Sequence, residues 1–191
     1  MTVTQHDLHP AAERLAHVIR AVPADALDRP TPCTEYSVGD LLDHIRVFFQ
    51  AFQGAATKQP LPPPVRASAA DLPDDWQTSM PTDALQLADA WDDPTAWDGM
   101  TAAGGVDLPG AVAGTIALDE LVVHGWDLAV STGAPYDPDG PELQVVHQQV
   151  VDARAMGFDI FAAEVPVPDD APLFDRILGL AGRDPRWRPP G

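Results

Sequence analysis

Cys33 is the only cysteine in the chain. A single thiol excludes an internal disulfide framework and any cysteine-rich zinc site. Basic residues are scarce as well: 11 Lys and Arg stand against 29 Asp and Glu, a formal net charge of −18, with a sequence pI near 4.3. Such a surface repels phosphates and anionic headgroups, so neither nucleic acid nor a membrane surface is expected as a partner. No uninterrupted apolar run reaches about 18 residues, which argues against a helical membrane span. The opening residues, MTVTQHDLHP, lack the basic start and apolar block of a secretion signal. Also missing are GxGxxG, a Walker-type GKS/T and GxSxG, so nucleotide-binding and serine-hydrolase readings have no support. These absences lead to the expectation of a cytoplasmic protein, residues 1–191 forming a single domain around one core.

What is present is helical periodicity. Leu8, Ala11, Ala12, Leu15, Val18, Ile19 and Val22 recur at steps of three and four, which predicts a first helix beginning near His9. His6, His9 and His17 fall mostly off that stripe and are expected at the surface. Ser37 has the chemistry of an N-cap, with Asp40 in support, and opens a helix carrying Leu41, Leu42, Ile45, Phe48, Phe49 and Phe52 on one broad face. The proline-rich stretch from Gln59 to Asp75 has no helical period and reads as an extended connection or covering loop. A third helix is expected over Pro81–Trp91 with Thr82 as cap, then a small hairpin within Asp98–Leu108. Gly110–Gly133 reads as a long helix and Glu142–Ala163 as another, with Met156 and Ile160 on its apolar side and Gly157 tolerated inside it. A short helix over Leu173–Leu180 closes the chain, marked off by Gly182 and Pro185.

The long segment holds three polar groups in aliphatic surroundings. Glu120 and His124 are four apart and Asp127 follows three later, so all three share one helical face among Leu118, Leu121, Val122 and Val123. Polar groups on such a face need partners inside the protein. His44 supplies a matching imidazole within the apolar face of the second helix. Two imidazoles and a carboxylate, His44, Glu120 and His124, suffice to bind a divalent metal with a position left open. Zn²⁺ is the first expectation, and Ni²⁺, Fe²⁺ and Mn²⁺ accept the same donors. Asp127 reads either as the acceptor that orients a ligand imidazole or as a further ligand. Trp126 reads as core or pocket wall, Tyr36 and Arg46 as pocket rim, and Cys33 as an inert thiol, since nothing local lowers its pKa.

The runs TPCTEYSVGDLLDHI, ALDELVVHGWDLAVSTG and LFDRILGLAGRDPRW resemble the DinB-like superfamily. They are similar to the N-terminal domain of mycothiol-dependent maleylpyruvate isomerase. The resemblance spans nearly the whole chain. It implies an all-α, four-helix bundle of up-down-down-up character, with a divalent metal at one end. The family's ligand motif falls on His44, Glu120 and His124. It further implies a low-molecular-weight thiol such as mycothiol as cofactor, in a transferase or isomerase acting on a small electrophile. The C-terminal part reads as a short helix and tail rather than the isomerase's second domain, so maleylpyruvate isomerisation itself is not expected. A metal-dependent hydrolase and a non-catalytic metal-binding or sensor module, with a homodimer as its possible assembly, are the alternatives for the same ligand set.

Overall fold

The computed structural model describes residues 4–62, 66–157 and 161–190. Its elements run α1 (His9–Ala21), α2 (Val38–Ala56), α3 (Trp76–Trp91), the one-turn α4 (Pro94–Trp97), β1 (Met100–Ala103), β2 (Val106–Pro109), α5 (Gly110–Thr132), α6 (Glu142–Ala155) and α7 (Leu173–Leu180). Helices α1 and α2 each pack on both α3 and α5, which closes a four-helix bundle. Helix α6 lies on α5, and α7 on α6. The expected all-α bundle with a short C-terminal helix and a small hairpin is the fold found.

Local chemistry explains most boundaries. Ser37 caps α2 reciprocally with Asp40: the Asp40 amide donates to Ser37 Oγ, and the Ser37 amide to Asp40 Oδ2. All six apolar residues expected on the core face of α2 are buried. Each such side chain contributes on the order of 1.5–3 kcal/mol by leaving water. Between β1 and β2, Gly104 and Gly105 take φ of 59° and 83°, the pair of positive angles a tight hairpin turn requires. Helix α5 stops at Gly133, whose φ is 77°.

Two boundaries differ from the expectation. Helix α3 begins at Trp76 after Asp75, not at Pro81, and Pro81 sits inside it. An internal proline removes one ladder bond, but the extra turn buries Trp76 and Met80 in the core, and that burial prevails. Thr82 is therefore not a cap. Helix α6 ends at Ala155, because Gly157 adopts a φ of 73° and turns the chain instead of continuing the helix. Met156 is exposed rather than apolar-side, and Ile160 lies outside the described residues. Among the histidines, His17 is exposed, His6 packs edge-on against Trp97, and His9 joins α1 to the end of α3 through Asp92 at 3.1 Å.

One glycine of α5 positions the connector to α6. The Tyr136 hydroxyl donates to the Val122 carbonyl at 2.8 Å, and its ring lies on Gly125 so closely that a Cβ there would meet the hydroxyl oxygen at 2.5 Å. Gly125→Ala is expected to destabilise by about 1–3 kcal/mol through overpacking, against roughly 1 kcal/mol gained in helix propensity. A urea midpoint for the variant at or above the wild-type value would refute this packing account.

Candidate metal centre

Helix α2 brings His44 and helix α5 brings Glu120 and His124 together at the α2–α5 seam. Each offers one ligand atom, and the three atoms lie within 4.8 Å of one another. Glu120 Oε2 is 3.1 Å from His124 Nε2 and 3.4 Å from His44 Nε2. The two imidazoles meet edge to face, with centroids 4.8 Å apart. His124 is buried, while His44 and Glu120 are half-buried and face a cavity of about 520 Å³.

Asp127 stands behind His124 and not among the three converging atoms. His124 Nδ1–H donates to Asp127 Oδ2 at 3.0 Å, which fixes the ring and leaves Nε2 directed at Glu120. Asp127 is wholly buried and receives a second partner: Arg183 donates to it from Nη2 at 2.9 Å and from Nε at 3.3 Å. Arg183 also donates to the Ala181 carbonyl and is itself buried. The result is a continuous polar chain, Glu120–His124–Asp127–Arg183, through the apolar interior.

The charges explain the protonation of this cluster. Burial opposes ionisation of Glu120, but the charge on His124 and the hydrogen bonds from His124 and His44 outweigh it and hold the carboxyl well below its usual range. Burial likewise disfavours a charged His124, yet Glu120 and Asp127 together raise it to about 9. The proton on His124 thus balances the Glu120 carboxylate. A divalent cation matches the same two anions and two imidazole nitrogens with more charge.

Other residues fall differently. Tyr36 stacks on His44 at 5.4 Å and lines the cavity, as a rim residue should. Arg46 does not line it: its guanidinium turns to Asp43, at 2.7 Å, because the two are one helical turn apart on α2. Trp126 is buried in α5. Cys33 lines the cavity, with its thiol pushed up to about 11, chiefly by burial.

Sequence reasoning missed Asp119 and Arg183. Asp119 is buried in the cavity wall with Oδ1 unpartnered among the described residues, and burial pushes its carboxyl up to about 7. The one available signal was an acidic pair, Asp119–Glu120, inside an apolar helix. Arg183 lies in the AGRDPRW run, where only the helix stop was legible.

A family model described as the mycothiol maleylpyruvate isomerase N-terminal domain matches residues 8–129, which takes in all three ligand candidates. Two relatives, both described as uncharacterized proteins of Mycobacterium tuberculosis (strains CDC 1551 / Oshkosh and ATCC 25618 / H37Rv), are 31% identical over 183 residues. In each case the match covers 92% of this chain and 95% of the relative. No solved structure matches at a significant level.

Proposed function

The chain belongs to the mycothiol maleylpyruvate isomerase N-terminal domain family, and from that membership we propose that it is a metal-binding protein that uses a low-molecular-weight thiol, such as mycothiol, to transfer to or isomerise a small electrophile. The observation that supports this reading most is the convergence of His44, Glu120 and His124 beside an open cavity. Bound there, a divalent ion such as zinc would act as a Lewis acid that lowers the pKa of a coordinated thiol and makes thiolate available at neutral pH.

The chain's own residues would prepare that site. Asp127 accepts from His124 Nδ1, so the ring would present Nε2 to a cation that displaces its second proton, and Arg183 neutralises Asp127. Glu120 balances the charge of the cation. Asp119 would add a buried acidic group to the cavity wall beside Glu120. Cys33 stays protonated at neutral pH and does not compete as nucleophile. Residues 1–191 act in this reading as one metal-binding unit. One unpaired cysteine suits a reducing, cytoplasmic setting. No described helix is long and apolar enough to cross a membrane.

Elemental analysis of protein purified without chelator or a metal column, beside the His44→Ala variant, tests the metal. Stoichiometric metal is expected in the wild type and none in the variant. Thiol addition to the loaded protein should then raise its Tm and support conjugation of generic electrophiles. No metal in either protein after Zn²⁺ or Ni²⁺ is added removes the metal reading. A loaded protein indifferent to thiol removes the thiol.

A further inference from the structure

A second cavity, of about 480 Å³, shares Tyr36, His44 and Glu120 with the first. Two of the three candidate ligands, His44 and Glu120, are therefore part of a partition between two compartments, while His124 lines the first alone. The chemistry on the two sides differs. Cys33, Thr34, Glu35, Asp119 and Arg183 line the first, so it offers donors, acceptors and charge. Val47, Phe48, Ala51 and Phe52 from α2, with Ile116 from α5, line the second.

The walls of the apolar compartment are built from separate parts of the chain. Ala103, Gly104 and Val106 of the hairpin close one side, and Val106 is 63% exposed at the rim. The proline-rich connector closes another side with Arg66 and Ala67. It is tied to α2 just beyond them: the Ser68 amide donates to Asp43 Oδ2, and the Ala69 amide to Asp40 Oδ1, both at 2.9 Å. Arg66 is the one permanent cation among the described residues of that lining, on a chain whose net charge is −18. Apolar side chains around an open space forfeit packing contacts that an apolar occupant would restore.

We propose that this second compartment receives the electrophile, as an apolar and preferably aromatic body with an anionic group directed at Arg66. The thiol compound occupies the polar compartment, and the two reactants meet at the partition formed by His44, Glu120 and Tyr36. This rests on the metal- and thiol-dependent reading above and adds the substrate class to it. A hydroxyl- and amide-rich thiol would lose hydrogen bonds in the apolar compartment, whereas an aromatic body loses nothing there. The two walls thus sort the bodies of the reactants by solvation, and Arg66 adds a preference for an anion.

Two fluorescent probes that differ by one charge test the proposal on the full-length, zinc-loaded protein. Anilinonaphthalene sulfonate carries the anion, and phenylnaphthylamine is its uncharged parent. Both should bind saturably. Arg66→Glu, at an exposed position that does not threaten folding, should weaken the sulfonate about tenfold, the equivalent of roughly 1.4 kcal/mol, and leave the neutral probe unchanged. Val47→Trp should fill the compartment and weaken both, with zinc content and cooperative melting retained. Thr34→Trp, across the partition, should weaken neither. Absence of saturable binding, or equal effects of Arg66→Glu on both probes, overturns the proposal; so does a loss caused by Thr34→Trp. If Val47→Trp does not fold, the Arg66→Glu contrast decides alone. Zinc measured in the same samples separates the two ideas. Bound zinc without probe binding sinks only this proposal, and probe binding without zinc sinks only the metal reading.

Discussion

Replacing His124 by alanine is expected to cut zinc affinity by about two to three orders of magnitude while leaving the bundle folded. The affinity estimate follows from sharing the roughly 10–16 kcal/mol of a structural zinc site among about four ligands. Of the three candidate ligands, His124 is held most tightly, by Asp127 behind it and by Glu120 in front. Folding survives because no charge is orphaned. Asp127 keeps Arg183, at 2.9 Å, and Glu120 keeps His44 and its access to the cavity. Calorimetric titration with zinc reads the first quantity and far-ultraviolet circular dichroism the second. His124→Gln, closer in volume, should lose metal to a similar extent, because its amide cannot replace a neutral imidazole donor. Zinc bound by either variant with unchanged affinity would falsify the ligand assignment.

The site was legible in the sequence where it depends on helical spacing, and illegible where it depends on long-range return of the chain. Glu120, His124 and Asp127 share a helical face by arithmetic alone, and His44 stands out as an imidazole in an apolar stripe. The Ser37–Asp40 cap is equally local. Arg183 meets Asp127 across 56 residues, and no periodicity announces such a contact. Asp119 was hidden by its neighbour: beside Glu120 it reads as one more acidic residue, and only its unpartnered position in the cavity wall sets it apart. The fold shows the same division. Pro81 obeys the helix-start rule until Trp76 and Met80 are seen to be buried a turn earlier. Gly157 reads as a tolerated interruption until its backbone proves left-handed. The apolar compartment is formed by a hairpin, a connector and two helices, so no single stretch reveals it.

Arg183→Met should produce the largest stability change of any single substitution at this site, about 3–5 kcal/mol in urea denaturation, the usual cost of orphaning one member of a buried ion pair. Asp127 is fully buried and its carboxylate is held charged: burial opposes ionisation, but His124 and Arg183 outweigh it. Without Arg183 that charge rests on His124 alone. Two further measurements separate charge from packing. In Arg183→Met with Asp127→Asn the buried charge is gone from both sides, so the double variant should be more stable than Arg183→Met. Zinc affinity should fall by about tenfold to a hundredfold in Arg183→Met even where the protein is folded, because an unneutralised Asp127 holds His124 in its protonated form and disturbs the ring that must present Nε2. A cost under about 1 kcal/mol would mean that the pair behaves as a surface ion pair does. The segment after α7 would then pack against the candidate metal centre without supporting it. The larger cost would mean that the C-terminal segment, beyond the region the family model matches, is part of the site's construction.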